Sequence, residues 1–188
     1  MKIETIEIAG FAGALTALRL PFGKEVRSRI ETDNYWNDGM DRPTAIWHNE
    51  TDIELDTYDE ILMQTLVKRG DEHAKVVRGI MVWAKITAPV YWWCEEETYR
   101  MGHERLASES TMHIDCRGLA GSELQEAKSA IPMGKELTKV DMFSYQALRK
   151  MVAQRHNHRL PEWHQFIDWI KTLPLAKELI LVGLKTEE

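Results

Sequence analysis

The sequence predicts an α+β fold, a helix-rich domain with a small antiparallel sheet. Two stretches, "SYQALRKMVAQR" and "LPEWHQFIDWIKTLP", repeat apolar residues at helical spacing. Near the N-terminus "MKIETIEIA" instead alternates isoleucines with charged residues, which is typical of an edge or half-buried strand. With 188 residues, 44% of them hydrophobic, the chain can bury a sizeable core, so we expect one domain over 1–188.

The first half of the chain predicts a strand, two helices and a long loop. A short helix follows the first strand and stops at Pro21, because a proline disfavours helical backbone in the residue before it. Residues 23–50 are rich in Asn, Asp, Gly and Arg, and we interpret them as a long loop that contains one strand fragment. The second helix is capped by Asp56, carries an apolar stripe through Ile61, and ends at Gly70.

The second half predicts more helix than strand. The apolar run Ile80–Ala84 suits either a strand or a buried helix, and periodicity does not decide between them. Pro89 fits the first turn of a helix that runs to about Arg100, and Ser122 fits the cap of the next helix. The segment "KELTKVDMF" is a strand or extended linker, and the two strongly periodic helices follow it.

Composition excludes several classes of function. A net charge of −6 argues against a general grip on nucleic acid, although two or three arginines suffice for a local anion site. Cys94 and Cys116 form neither a CxxC pair nor a disulfide framework. Without a leader pattern or an apolar run long enough for a membrane span, we expect a cytoplasmic protein that binds neither nucleic acid nor membrane.

The segment "APVYWWCEEETYR" combines bulky aromatics with a polar row. On a helix, Glu95, Thr98 and Tyr99 fall on a face that Trp92 shares. A flat heteroaromatic ligand needs such a wall for stacking and such a row for recognition of its edge. The alternative is that the tryptophans are core residues and the glutamates a solvated face.

Basic residues gather in "QRHNHRLPEW", at the junction of two predicted helices. Arg155, His156, His158 and Arg159 there would form a compact receptor for a phosphate, because helix starts also offer free N–H groups. The alternative is a solvated basic connector. A third cluster, "GDEHAKVVR", places His73 just after a helix-ending glycine, where a plain connecting turn is the alternative.

A metal site is the rival interpretation of the same histidines. Loose sets are available, namely His156, His158 and His164, or His103, His113 and Cys116. Neither set has the HExxH or CxxC spacing of known sites, so we expect no metal. A nucleophilic cysteine with a histidine base likewise lacks a supporting spacing.

The order of these clusters resembles the flavin-dependent thymidylate synthases over roughly residues 57–172. The segments that carry the resemblance are "RGDEH", "ITAPVYWWCEEETYR", "ASESTMH", "AIPMGKELT", "SYQALRKMVAQR" and "HRLPEW". At the family's Arg-His-Arg signature this chain has Thr98-Tyr99-Arg100, so only the last arginine is present. The family's Asn-Glu-x-Ser tract is approximated by Ser108-Glu109-Ser110-Thr111.

The resemblance implies a fold, a reaction and an assembly. It implies a homotetramer that binds flavin adenine dinucleotide (FAD) and deoxyuridine monophosphate (dUMP) at subunit interfaces. Reduced flavin would supply a hydride, methylenetetrahydrofolate the one-carbon unit, and reduced nicotinamide the electrons. The implied activity is that of a methyltransferase acting at C5 of the pyrimidine.

The resemblance also assigns roles to individual residues. The implied catalytic residues are Arg155 and Ser110. The implied cofactor-binding residues are His73, Glu95, Arg100 and His103. The implied substrate-binding residues are Ser108, Glu109, Ser110, Arg155 and Arg159. From residue type alone, Tyr91, Trp92 and Trp93 are candidate pocket walls, and Tyr35 and Trp36 belong to a candidate lid.

Three functions remain open at this point. The first is flavin-dependent methylation or hydroxymethylation of a deoxypyrimidine monophosphate, either a uracil or a cytosine nucleotide. The second is a repurposed nucleotide-binding protein of the same fold without flavin chemistry. The third is a non-enzymatic interaction module whose tryptophans are only core.

Overall fold

A computed structural model describes residues 1–35 and 47–184, and their side chains except at 31–35, 47–49, 51 and 52. Its strands are β1 (Lys2–Ala9), β2 (Arg29–Tyr35), β3 (Trp47–Glu54), β4 (Met81–Pro89), β5 (His103–Ser108) and β6 (Glu136–Ser144). Four of them form an antiparallel sheet in the order β1-β4-β6-β5, and β2 pairs with β3 separately. The fold is therefore α+β with a small antiparallel sheet, as predicted.

Helices fill the connections between these strands. They are α1 (Phe11–Arg19), α2 (Thr57–Lys68), α3 (Val90–Glu96), α4 (Thr111–Ile114), α5 (Gly121–Ser129), α6 (Tyr145–Arg155) and α7 (Pro161–Lys171). Shorter helical turns lie at Leu20–Phe22, Lys75–Arg78 and Lys177–Leu181. Among the described residues, no helix is both long and apolar enough to cross a membrane.

The apolar run after Ile80 is a strand, which settles the alternative that periodicity left open. β4 lies inside the sheet, where Trp83 pairs with Glu7 of β1 and with Met142 of β6. Its residues Val82, Ala84, Ile86 and Ala88 are all fully buried. Burial and pairing on both edges explain why the run is apolar.

The core is rich in aromatic side chains. Trp92 is fully buried, and its ring centroid lies 5.1 Å from that of Trp163 and 5.4 Å from that of Phe166. Trp93 is also buried, and its Nε1 donates to the carbonyl oxygen of Leu137 at 3.1 Å. These two tryptophans are core residues, as the core alternative stated, but its solvated face of glutamates is wrong for Glu96, which is fully buried.

Several predicted helix boundaries are confirmed. Asp56 caps α2, because its carboxylate accepts a hydrogen bond from the Tyr58 backbone N–H at 3.0 Å. Ser144, the first residue of the predicted "SYQALRKMVAQR" helix, caps α6, because its hydroxyl oxygen accepts a hydrogen bond from the Ala147 backbone N–H at 3.1 Å. Gly70 has a φ of 104°, a left-handed conformation that glycine adopts without strain after a helix end.

The interpretation of residues 23–50 as a loop with one strand fragment is wrong in part. β2 and β3 pair in antiparallel register from Arg29↔Glu54 to Tyr35↔Trp47. Both strands are largely polar, so they lack the alternation that marks a strand in sequence. The predicted lid residues, the side chain of Tyr35 and the whole of Trp36, lie outside the described residues.

Other predicted boundaries were also wrong. α3 ends at Glu96, so Arg100 lies in the following turn, and Pro89 is the extended residue just before the helix. Ser122 is the second residue of α5, and Ala120 occupies the cap position. Ile61 is 59% exposed, because α2 buries Met63 and Val67 instead.

Candidate functional site

Near the end of α3, the predicted site residues Glu95 and Arg155 come into contact. Three consecutive glutamates close the helix, and Tyr99 follows in the turn. Successive helical residues point about 100° apart, so Glu95 and Glu96 enter two different environments. Glu95 meets the junction of α6 and α7, whereas Glu96 lies fully buried near the sheet.

We call the first group the Arg155 cluster: Glu95, Tyr99, Arg155, His158 and Trp163. The Arg155 guanidinium donates to Glu95 Oε2 at 3.0 Å and to the Tyr99 hydroxyl at 2.8 Å. Its central carbon also lies 4.8 Å from the centroid of the Trp163 ring. The cation is therefore held by one carboxylate, one phenol and one aromatic face.

One oxygen of Glu95 receives most of the polar contacts in the Arg155 cluster. Besides Arg155, the indole Nε1 of Trp163 donates to Glu95 Oε2 at 2.9 Å, and His158 Nε2 lies 3.2 Å from it. The backbone N–H of Leu160 donates to His158 Nδ1, so Nε2 carries the proton. A carboxylate thus occupies the position that an anionic ligand of Arg155 would take.

The other predicted basic residues are less constrained. Arg100 and Arg159 are exposed, and neither forms an ion pair within the described part of the chain. His156 Nδ1 lies 3.2 Å from the Ala153 carbonyl oxygen. Of the four residues of the predicted phosphate receptor, Arg155 and His158 contact Glu95, His156 contacts a backbone carbonyl, and Arg159 is exposed.

The tract Ser108-Glu109-Ser110 lies at the far end of β5. The Glu109 backbone N–H donates to the Thr138 carbonyl at 2.8 Å, and the Thr138 N–H donates to Glu109 Oε2 at 2.6 Å. Ser108 follows His103 by five residue steps along the strand, a distance of roughly 16 Å. Because His103 contacts the backbone of Tyr99, the tract and the Arg155 cluster stand apart within one chain.

The turn that contains His73 borders two grooves. His73 is exposed and lines an apolar groove of about 470 Å³ together with Phe22 and Val76. Asp71, in the same turn, lines a second groove of about 310 Å³ that also contains Met101 from the turn after Arg100. The turns next to His73 and Arg100 therefore border one groove, although neither of these two residues lines it.

Sequence reasoning missed a second group, which we call the Glu96 cluster: Glu96, Glu97, His103, Arg105, Lys139 and Asp141. Gly102 turns the chain into β5 with a φ of 76° and directs His103 beneath the end of α3. His103 Nε2 lies 3.1 Å from Glu96 Oε1 and 3.6 Å from Asp141 Oδ2, and its ring stacks on Phe143 at 4.6 Å. The residue assigned by resemblance to the cofactor is thus 8% exposed and contacts protein groups with both ring nitrogens.

Arg105 holds the carboxylates of the Glu96 cluster together. Its guanidinium donates to Glu96 Oε2 at 2.6 Å, to Glu97 Oε1 at 2.6 Å and to Asp141 Oδ1 at 3.0 Å. Lys139 adds a second cation 3.0 Å from Glu97, and both cations lie over the Trp93 ring. The only sequence signal is the period-two placement of Lys139 and Asp141, which puts charges where a strand usually buries apolar side chains.

Burial and charge shift the pKa values in this cluster. Burial raises the pKa of Glu96 to about 7, although the charges of His103 and Arg105 oppose the increase. For His103, burial alone would lower the pKa, but Asp141 and Glu96 raise it above its usual value overall. The carboxylates therefore favour a positive charge between them.

The structure assembles neither histidine set that the sequence suggested for a metal. Within the described ranges, the one group of three metal-ligating side chains that could share an ion is Glu96, His103 and Asp141. His164 Nε2 instead lies 2.7 Å from the His158 carbonyl oxygen. Cys116 is buried and Cys94 exposed, and both are free cysteines.

These features belong to a fold that other solved structures share: the chain has a flavin-dependent thymidylate synthase-like fold. One similar structure is the flavin-dependent thymidylate synthase ThyX from Helicobacter pylori complexed with FAD and dUMP. The TM-score is 0.66 at 10% identity, over 97% of this chain and 99% of that chain. A second structure of ThyX from the same organism with FAD and dUMP gives 0.65 at 12% identity, over 98% and 100%.

A third similar structure is PolB from Streptomyces cacaoi, a UMP/dUMP methylase bound with 5-Br dUMP. Its TM-score is 0.60 at 11% identity, over 98% of this chain and 93% of that chain. No protein-family profile matches the sequence. No curated protein matches it either. At these identities the likeness establishes the fold.

Proposed function

We propose that this protein is an enzyme that transfers a one-carbon unit to C5 of a deoxypyrimidine monophosphate in a flavin-dependent reaction. One observation carries the proposal: the fold matches, over almost the whole chain, ThyX structures with FAD and dUMP and the UMP/dUMP methylase PolB. The product is either the methylated or the hydroxymethylated nucleotide. Methylenetetrahydrofolate as carbon donor and reduced nicotinamide as electron donor complete the proposed reaction.

The groove between the His73 turn and the Arg100 turn fits a phosphate-bearing cofactor. Arg78 and Lys150 line it, and both contact Asp71, the first at its carbonyl oxygen and the second at its carboxylate. Arg100, free of ion pairs in the described structure, precedes Met101 at the same groove. When bound, the flavin would supply the hydride. The protein would contribute cations for its phosphates and a wall that excludes water.

The Arg155 cluster is suited to the nucleotide. An arginine stays charged at any physiological pH, so Arg155 can stabilise a phosphate or the negative charge that develops on a pyrimidine ring. Tyr99 and Trp163 keep its guanidinium in place through a hydrogen bond and ring contact. Glu95 has to release Arg155 or share it when an anion binds.

The proposed site is completed by a second chain. Ser108, Glu109 and Ser110 lie apart from the Arg155 cluster in one chain, and strand pairing fixes them there. A nucleotide held by both groups therefore requires a neighbouring copy to bring its β5 end to Arg155. This supports the proposed homotetramer with sites at subunit interfaces, to which Arg159 would add a further cation.

The second candidate function is nucleotide binding without flavin chemistry. A specific observation favours it: of the family's Arg-His-Arg signature only Arg100 is present, and Tyr99 at the histidine position is hydrogen-bonded to Arg155. Through Tyr99, the signature segment of this chain contacts Arg155, the proposed nucleotide-binding residue. The third alternative, an interaction module, gains no support from the core tryptophans, since core tryptophans are compatible with all three functions.

Flavin binding separates the first two candidates. The untagged protein is purified, incubated with FAD and desalted, and its visible flavin absorption is measured with and without dUMP. The proposal expects about one FAD per chain and conversion of the nucleotide when methylenetetrahydrofolate and reduced nicotinamide are added. A colourless protein that still binds dUMP would support the second candidate, and one that binds neither would refute both.

A further inference from the structure

With His103 neutral and all three carboxylates ionised, the Glu96 cluster carries one net negative charge. Glu96, Glu97 and Asp141 supply three carboxylates, while Arg105 and Lys139 supply two cations. Glu96 and Asp141 are fully buried, whereas the Glu97 side chain is 52% exposed, and buried carboxylates are stable only beside positive charge. A proton on His103 or on Glu96 would neutralise this charge, and the two buried carboxylates would equally favour a metal ion bound between them.

In Glu96, His103 and Asp141, some polar atoms are hydrogen-bonded to the protein and others are not. Arg105 binds Glu96 through Oε2 and Asp141 mainly through Oδ1, and the Tyr99 carbonyl accepts the Nδ1 hydrogen of His103 at 2.7 Å. Glu96 Oε1 and His103 Nε2 are buried and have no hydrogen bond of acceptable geometry in the described chain. They converge with Asp141 Oδ2 on one spot.

The spacing of Glu96 Oε1, His103 Nε2 and Asp141 Oδ2 is close to that of metal ligands, and of the three only Asp141 Oδ2 accepts a hydrogen bond within the described chain, from Arg105 Nη2 at 3.3 Å. A tetrahedral ion with bonds of about 2.0–2.2 Å holds its ligand atoms about 3.3–3.6 Å apart. His103 Nε2 lies 3.1 Å from Glu96 Oε1 and 3.6 Å from Asp141 Oδ2, and all three atoms lie within 4.8 Å of one another. An ion can therefore enter with small side-chain shifts.

The outer contacts are also those of a metal site. A ligating histidine usually donates its other ring N–H to a backbone carbonyl or carboxylate, which fixes the tautomer and the ring plane. The Tyr99 carbonyl does this for His103, and Phe143 stacks on the ring at an interplanar angle of 6°. Arg105 likewise orients both carboxylates.

We infer that Glu96, His103 and Asp141 bind one divalent first-row transition-metal ion, with Zn²⁺ or Mn²⁺ as the best fit. One imidazole and two carboxylates are a borderline donor set, and imidazole disfavours Mg²⁺ and Ca²⁺. The residues are buried, so the role is structural: the ion joins the end of α3 to β5 and β6. By holding His103, the ion also fixes the backbone of Tyr99, which accepts the His103 hydrogen bond. The side chain of Tyr99 in turn contacts Arg155. This site departs from the sequence-based expectation of no metal.

The test uses the untagged full-length chain after treatment with a chelator. Zn²⁺ or Mn²⁺ is added, excess ion is removed by gel filtration, and retained metal is counted by mass spectrometry alongside thermal unfolding. Wild type is expected to retain one ion per chain and to unfold at a higher temperature than the stripped protein. His103→Gln and Asp141→Asn should each weaken retention at least tenfold. His113→Gln, which alters an exposed histidine of α4, should match wild type.

Two measurements on wild type decide the matter even if the variants fold poorly. Co²⁺ should give a visible d–d absorption band that Zn²⁺ removes. In nuclear magnetic resonance spectra, Zn²⁺ should shift the His103 imidazole signals and abolish their titration. The inference is overturned if wild type retains no more metal than His103→Gln, or if Co²⁺ gives no such band. A His103 imidazole that titrates unchanged in the presence of Zn²⁺ would mean that a proton, and not a metal, supplies the charge.

Discussion

Replacing Glu95 with glutamine should strengthen nucleotide binding. The carboxylate of Glu95 lies 3.0 Å from the Arg155 guanidinium, and their side chains are 34% and 20% exposed. For two unit charges about 4 Å apart, the attraction is about 1 kcal/mol in water and about 4 kcal/mol in surroundings typical of a protein surface. A partly exposed pair lies toward the lower value, so about 1–2 kcal/mol holds Arg155 away from an incoming anion.

Glutamine keeps the shape of the side chain and can still accept the hydrogen bond from Trp163. The released attraction should then appear as roughly 5- to 30-fold tighter binding of dUMP, measured by isothermal titration calorimetry. The gain should shrink in high salt, because the competing interaction is electrostatic. Glu104→Gln, which removes an exposed glutamate of β5, is the matched control.

The reasoning is refuted if Glu95→Gln binds dUMP with unchanged or weaker affinity while its unfolding temperature stays at the wild-type value. Weaker binding would mean that Glu95 itself contacts the nucleotide.

Three further predictions concern stability. Trp93→Ala should lower the free energy of unfolding by about 3–5 kcal/mol in urea denaturation, since the ring is buried in the core; a loss under 1 kcal/mol would contradict that role. Asp59→Asn should cost about 3–5 kcal/mol at neutral pH by breaking a buried pair with Arg19. Burial alone would raise the pKa of Asp59, but hydrogen bonds from Ser28 and Arg19 outweigh it and lower the pKa below its ordinary value of 3.8. The contribution of Asp59 to the free energy of unfolding is therefore present above pH 3.8 and is lost as the pH falls through the lowered pKa. In Asp59→Asn the free energy of unfolding should therefore fall less steeply than in wild type as the pH is lowered below about 4. The same slope in both proteins would contradict a stabilising pair between Asp59 and Arg19. Gly102→Ala should cost roughly 1–3 kcal/mol, because φ is positive there and the added methyl meets the Ser144 hydroxyl; an equally stable variant would show that the turn adapts.

The fold was predictable where apolar residues follow one period. In α7, Trp163, Phe166, Ile167 and Ile170 repeat at helical spacing, and all are buried. β5 was missed because "HERLAS" is polar at the edge of the sheet, and its pairing with β6 is a tertiary contact. The hairpin of β2 and β3 was missed for the same reason, since cross-strand pairing rather than an apolar pattern defines it.

The candidate site divides along similar lines. Sequence spacing placed Glu95 and Tyr99 on one face of a helix to about Arg100, but α3 ends at Glu96, so Tyr99 reaches Arg155 from the segment after the helix. Nothing in the sequence indicated that Arg155 is paired with Glu95 in its own chain. Glu96 and Asp141 were missed because burial of a charge depends on a partner such as Arg105, which is distant in sequence from Asp141.

Titration of dUMP into the full-length protein, with wild type and Arg155→Ala compared by calorimetry, tests the proposed nucleotide site most directly. Removing the guanidinium should cost about 2–4 kcal/mol of binding, a loss of roughly 30- to 1,000-fold in affinity. Arg69→Ala, which removes an exposed arginine after α2, should bind as wild type does. Equal affinity for dUMP in wild type and Arg155→Ala, or no binding by wild type at all, would contradict the assignment of this cluster to a pyrimidine nucleotide.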